Sequence, residues 1–185
     1  MAWTTPKTFS SSEVLDAAAD LNVYERDNIK YLAEPETCSA SGTSANVPHA
    51  TWTSISLSTE HWDTDGIHSL VSNTEKFTIQ SAGIYLATAY FTVSTTNTSV
   101  VDAGNATQRA LLQIYDNSAT TTHNTYQDFF VSGGYGSTRT GSTTVHSIRE
   151  FGANDTILCG AYHLYGASEP DWEVTLTVAR LRGPT

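Results

Sequence analysis

One stretch of this chain limits its fold more than any other: Ile84-Tyr85-Leu86-Ala87-Thr88-Ala89-Tyr90-Phe91-Thr92-Val93. Side chains alternate across a strand with a period of two. Tyr85, Ala87, Ala89, Phe91 and Val93 therefore point to one face, and Ile84, Leu86, Thr88 and Tyr90 to the other. Both sets are largely apolar. Residues 156–164 behave alike, with Ile157, Cys159 and Ala161 opposing Leu158, Tyr162 and Leu164. A sandwich covers only one face of each sheet, so a strand apolar on both needs a second cover. Apart from one short helix, no segment is left over to supply it. The pattern predicts that a neighbouring copy does so, and hence that the chain self-associates.

The remaining punctuation agrees with a β protein. Strands are expected near 51–57, 76–80, 84–94, 108–115, 126–131, 143–150, 156–164 and 172–182. Between them lie turn signals such as Asp65-Gly66, Ser81-Ala82-Gly83, Gly152-Ala153-Asn154-Asp155 and Ala167-Ser168-Glu169-Pro170. Among the 185 residues are 29 Thr and 20 Ser; β-branched Thr favours strands, and a helix-forming Ala- or Glu/Lys-rich composition is missing. Eight strands at this spacing with no helix between them imply an antiparallel sandwich or barrel. Upstream, residues 13–33 read as the one convincing helix, with Asp16 as N-cap and Leu15, Ala18, Leu21, Ile29 and Leu32 roughly on one side. Pro35 stops it, and small polar residues make 34–49 a flexible linker. The expected organisation is an N-terminal arm over 1–33, a linker over 34–49 and a β domain over 50–185.

Charge narrows the partners. Nine Lys+Arg stand against 19 Asp+Glu, a net charge of −10, and both 1–48 and 49–185 are acidic. With no basic arm to neutralise phosphates, neither nucleic acid nor an acidic membrane surface is an expected partner. The start, Met1-Ala2-Trp3-Thr4-Thr5-Pro6, lacks the apolar core of a signal peptide, and no run approaches 18 apolar residues. Cys38 and Cys159 are read either as two reduced thiols or as a single clip between an early segment and a late strand.

Catalytic chemistry is not expected. The six His form no HExxH, and none has i,i+2 or i,i+4 spacing alongside a carboxylate motif. Asp63-x-Asp65-Gly66 resembles the start of a calcium loop, yet its twelfth position is Thr74 rather than Glu, so two hydrogen-bonding acids in a loop are expected there. No Gly-x-Ser-x-Gly elbow is present, and Cys159 is expected to be buried mid-strand and inert. Neither catalytic residues, nor a metal, nor a cofactor are assigned. The polar loops Ser94–Thr107, Asn117–Thr125 and Val131–Gly141 suit a solvent-facing surface, with Asn97, Asn105 and Tyr135 as candidate ligand contacts.

The ordered motifs carry a resemblance. Lys76-Phe77-Thr78-Ile79-Gln80-Ser81-Ala82-Gly83-Ile84-Tyr85-Leu86 resembles the "F-x-I-x-x-x-G-x-Y" lead into the third strand of tumour-necrosis-factor-like and complement globular-head-like jelly rolls. Arg109 to Asn117 looks like their "R-x-x-x-x-I-x-x-N" strand, and Asn154-Asp155-Thr156-Ile157-Leu158 stands where they have "G-D-x-I/V-x-L", with Asn154 in place of the usual Gly. Trp172 to Leu181 is similar to their closing strand, and the whole resemblance spans about 130 residues. His61-Trp62-Asp63-Thr64-Asp65-Gly66-Ile67-His68 looks like the "W-D-x-D-x-x-H-S" loop of bacterial and viral members. The resemblance implies an all-β antiparallel jelly-roll sandwich, here with a short N-terminal helical arm, assembled as a homotrimer. Carried over by position, Leu86, Thr88, Tyr90, Thr175, Thr177 and Ala179 would face the trimer, and Tyr85, Ala87, Phe91, Val174, Leu176 and Val178 the core.

The arm carries a second resemblance. Trp3-Thr4-Thr5-Pro6-Lys7-Thr8-Phe9, then Glu13-Val14-Leu15-Asp16-Ala17-Ala18 through Leu21-Asn22, then Arg26-Asp27-Asn28-Ile29, look like the "W-T-T-P-R-T-W/F … G-E-x-V-T-A-A-x-L-N … R-D-N-L" start of tailed-phage virion proteins. It implies particle attachment through Trp3, Pro6, Phe9, Leu21, Arg26, Asn28 and Ile29. Taken together, the expected function is a non-enzymatic trimeric capsid decoration or head-fibre protein at the virion surface, assembled in the host cytoplasm. Its expected partners are itself and the capsid or tail proteins. A receptor-binding tail-fibre or tail-tip head engaging host surface glycan is the second reading. A secreted ligand or lectin-like module is the third, disfavoured by the lack of a signal-peptide pattern.

Overall fold

Along the last strand, Trp172, Val174, Leu176, Val178 and Arg180 are buried while Asp171 and Glu173 are exposed, the period-two signature of a strand with one face in a core. The computed structural model describes residues 29, 35–45, 47–95, 108–115, 121–129, 139–163 and 171–183. Within them run ten strands: β1 (Thr37–Ser44), β2 (Thr53–Ser54), β3 (Thr59–Asp63), β4 (Lys76–Thr78), β5 (Gly83–Thr95), β6 (Gln108–Tyr115), β7 (Thr121–Phe129), β8 (Arg139–Phe151), β9 (Thr156–His163) and β10 (Asp171–Arg182). Every pairing is antiparallel. One sheet, sheet A, has the order β3-β1-β10-β5-β8; the other, sheet B, has β2-β9-β6-β7, with β4 also pairing β9. The expected antiparallel sandwich is therefore the observed one.

Its core collects Tyr85, Ala87, Ala89, Phe91 and Val93 from β5, Val174, Leu176 and Val178 from β10, and Ile157, Cys159 and Ala161 from β9, all buried. The Phe91 and Trp172 rings meet edge-on at 6.1 Å and those of Tyr85 and Phe151 at 5.7 Å, the arrangement aromatic quadrupoles favour. All six core residues expected by position are fully buried.

The segment expected as a flexible linker over 34–49 is corrected by the structure. Its residues 37–44 are β1, paired along its whole length with β10 on one side and over four residues with β3 on the other. Small side chains explain the difference: Cys38, Ala40 and Gly42 face inward beneath a crossing segment. A Cβ on Gly42 would fall on the Ser56 carbonyl oxygen and 2.9 Å from Leu57 Cα. The β domain thus begins before residue 50. The strand expected over 51–57 is only Thr53–Ser54, although Ile55 and Leu57 continue into the core, and β3 lies where a loop was expected. Conversely, β7 and β8 start earlier than their patterns suggested. Of the N-terminal arm only Ile29 is described, helical and exposed; the rest of the expected helix lies outside the described residues.

A buried polar cluster closes the end of the sandwich where β1 begins and β10 finishes. Arg180 donates from Nη1 to Glu36 Oε1 at 3.2 Å and from Nη2 to the Ala82 carbonyl. The Tyr85 hydroxyl lies 2.5 Å from Glu36 Oε2 and 2.6 Å from the Ser81 carbonyl, and its single proton serves one at a time. Burial, and then the neighbouring Glu36 carboxylate, push the Tyr85 phenol well above its ordinary value; burial lowers that of Arg180. Glycine at 83 suits this close approach, because a Cβ would stand 2.5 Å from Arg180 Nε and 2.6 Å from the Arg182 carbonyl oxygen. At the turn between β8 and β9, at this same end, Asn154 adopts φ 70°, a left-handed conformation that Asn tolerates in place of Gly.

Candidate functional site

The outward side of sheet A is the candidate site. The six residues expected to face a partner form three cross-strand pairs between β5 and β10: Leu86 opposite Ala179, Thr88 opposite Thr177, and Tyr90 opposite Thr175. Register extends each row over the rest of the sheet. Ile148 of β8 stands beside Leu86, His146 beside Thr88, and Ser39 of β1 followed by Trp62 of β3 beside Thr177. A β-bulge at the outer strand leaves His61 beyond Trp62, with Nε2 3.1 Å from Ser41 Oγ, and Ser39 and Thr177 hydroxyls meet at 3.0 Å.

Exposure on this face is unequal to that on the other. The inward partners on β5 and β10 are fully buried, whereas Tyr90 is 47% exposed, Trp62 51% and Ile148 63%, with Leu86, Thr88, Thr175, Thr177 and Ala179 half-buried. One chain thus leaves large apolar side chains and small hydroxyls side by side on the sheet. Contiguous exposed apolar surface of this kind marks sites of protein contact. The double-sided apolarity of β9 resolves differently: on its outward side Tyr162 stacks on Trp52 of the same chain, ring centroids 4.7 Å apart.

Sheet A's polar edge is fixed by the loop after β3. Asp63 Oδ1 accepts the backbone N–H groups of Asp65 at 3.1 Å and Ile67 at 3.0 Å, and Oδ2 accepts that of His68 at 2.8 Å. The Asp65 carboxylate accepts the Thr64 hydroxyl at 3.0 Å. These acids organise their own loop, as the sequence suggested. His68 is buried against Phe77, its Nε2 donating to the Thr74 carbonyl at 3.2 Å and its Nδ1 3.4 Å from Glu60. His163, also buried, hydrogen-bonds the Val47 carbonyl at 2.5 Å and ties the 47–50 crossing to β9. His68 belongs to the loop resembling W-D-x-D-x-x-H-S, whereas no sequence motif announced the role of His163. Among the described residues, no three His, Cys, Asp or Glu side chains come close enough to share a metal ion. Cys38 and Cys159 are free and buried on opposite sheets; burial raises both thiols, and the Asp63 and Glu60 carboxylates raise Cys38 further. The clip between them is thus not formed.

Trp3, Pro6, Phe9, Leu21, Arg26 and Asn28 of the arm, and Asn97, Asn105 and Tyr135 of the loops, lie outside the described residues. No family model matches the chain, and no curated protein shows significant sequence similarity to it. Solved structures do share its fold. The globular domain of zebrafish complement 1qA protein superposes with a TM-score of 0.50 at 9% identity, covering 82% of this chain and 100% of its own. Murine APRIL gives 0.45 at 9% identity, covering 80% and 100%. The chain folds as a jelly-roll sandwich similar to the complement 1q globular domain.

Proposed function

We propose that this chain is a non-enzymatic structural module that self-associates through the outward side of sheet A as a homotrimer, held on a virus particle by its N-terminal arm. The observation that carries the self-association is the triplet Leu86–Ala179, Thr88–Thr177 and Tyr90–Thr175, half-open on a face that also exposes Trp62 and Ile148. Small Thr and Ala side chains let a second backbone approach closely, and the surrounding aromatic and aliphatic groups supply apolar area at about 25 cal/mol per Å² removed from water. The jelly-roll resemblance supports three as the number of copies. The tailed-phage-like start over Trp3–Ile29 supports attachment to capsid or tail proteins at the virion surface, after assembly in the host cytoplasm. Three arms on one trimer raise avidity well beyond a single weak contact.

Two experiments test the halves of this reading separately. Thr88→Arg places a charge at the centre of the face, and the expected result is a folded chain of monomer mass; an unchanged assembly would contradict the assigned face. Deleting residues 1–33 is expected to leave assembly intact and abolish incorporation into particles, scored by antibody labelling of shell and tail tip. Incorporation of the truncated chain would contradict the role given to the arm.

A further inference from the structure

Beyond Tyr90 the same face changes character. One row across four strands consists of Thr43, Glu173, Thr92 and Ser142, and the next of Asp171, Ser94 and Thr140. These rows form the floor of an open groove of about 920 Å³, with the half-exposed Tyr90 at one end. Thr92 Oγ1 donates to Glu173 Oε2 at 3.4 Å, so the carboxylate is held across the strands. All seven floor side chains bear oxygen and none bears nitrogen. Among the described residues, this floor offers two carboxylates and five hydroxyls, with the Tyr90 ring at one end, and no cation lines the groove.

We propose that this groove binds a neutral saccharide. Carboxylates accept hydrogen bonds from neighbouring hydroxyls of one sugar, and Ser and Thr hydroxyls both donate and accept, so the rows match a ligand that is itself a grid of hydroxyls. A tyrosine ring covers the C–H face of a pyranose. The volume falls in the range of small-molecule sites. Acidic sugars are disfavoured by the same chemistry, because Asp171 and Glu173 repel a uronate or sialate and no cation lines the groove among the described residues. The rows lie beyond the three apolar and hydroxyl pairs and share only Tyr90 with them, so the mass of the assembly is followed alongside binding.

The test uses the full chain and saturation-transfer NMR with methyl glycosides of glucose, galactose, N-acetylglucosamine and rhamnose, with methyl glucuronide and calcium chloride as contrasts. Transfer to at least one neutral glycoside is expected, with none to the glucuronide. Glu173→Gln with Asp171→Asn, and separately Ser142→Trp, should each weaken binding roughly tenfold or more, as expected when a site built for sugar hydroxyls loses its acceptors or its space. Light scattering on the same samples should give the wild-type mass. No transfer to any neutral glycoside, equal transfer to the glucuronide, calcium binding at these carboxylates in place of sugar, or loss of binding only where the mass also changes would each overturn the proposal.

Discussion

Arg180 holds Glu36 twice: its backbone N–H donates to the Glu36 carbonyl at 2.9 Å, and its guanidinium donates to the Glu36 carboxylate at 3.2 Å, with both residues buried. Glu36 immediately precedes β1, so the strand that follows the arm is fastened to β10 before its ladder begins. Removing one member of such a pair strands the other charge in a dry site. Glu36→Ala is expected to cost about 3 kcal/mol, whereas the double exchange Glu36→Leu with Arg180→Met should cost distinctly less. Urea midpoints at one fixed protein concentration measure both; equal losses in the two would contradict a stranded charge.

Two glycines should differ in their tolerance of a methyl group. At Gly83 the added carbon would stand 2.5 Å from Arg180 Nε and 2.6 Å from the Arg182 carbonyl oxygen, so Gly83→Ala is expected to cost about 1–3 kcal/mol. At Gly42 all three nearest atoms are backbone and the added carbon would fall on the Ser56 carbonyl oxygen, so Gly42→Ala should be the more damaging and should separate the 55–57 crossing from β1. Thermal melts of the two variants rank them; the reverse order would contradict the packing described for β1.

Asp63 should matter to the loop rather than to the core. Asp63→Ala removes the acceptor for three backbone N–H groups and is expected to cost about 2–3 kcal/mol. Asp63→Asn retains one acceptor oxygen and should recover part of that loss. Hydrogen exchange at Asp65, Ile67 and His68 reads it locally, with faster exchange expected there and unchanged protection in β5 and β10.

Alkaline pH should weaken the fold. The ordinary values are 9.0 for the two thiols and 10.0 for Tyr85, and burial raises all three in the folded chain. The unfolded chain therefore gives up these protons first. Their contribution is fully present below about pH 9 and declines as pH rises, by about 1.4 kcal/mol per unit for each group titrating only in the unfolded state. Denaturant midpoints from pH 7 to 11 should stay level and then fall. Cys159→Ala should roughly halve the slope between pH 9 and 10. In the native protein at pH 8 both thiols should resist a thiol reagent and react once urea unfolds the chain.

How far the sequence revealed this molecule depended on side-chain size. Where large apolar residues alternate, as in β5 and β10, strand limits and inward residues agree closely with expectation, and β6 coincides with it. Where the inward residues are Cys38, Ala40 and Gly42, local pattern is silent, because that strand is small only to fit beneath residues 56–57, a demand made by the tertiary fold. The half-open outward face of β5 was legible since Leu86, Thr88 and Tyr90 interrupt a core strand at every second place. The groove was not: its rows bring together residues from β1, β5, β8 and β10 that only register makes neighbours. Buried His68 and His163 likewise serve backbone carbonyls that no spacing rule predicts.

The account rests on the Leu86–Ala179, Thr88–Thr177 and Tyr90–Thr175 rows of sheet A being covered by other copies of the chain. Static light scattering of the full-length protein at micromolar concentration measures this directly. Three copies of the 20.0 kDa chain predict a mass of about 60 kDa, and a mass of about 20 kDa at that concentration would contradict it.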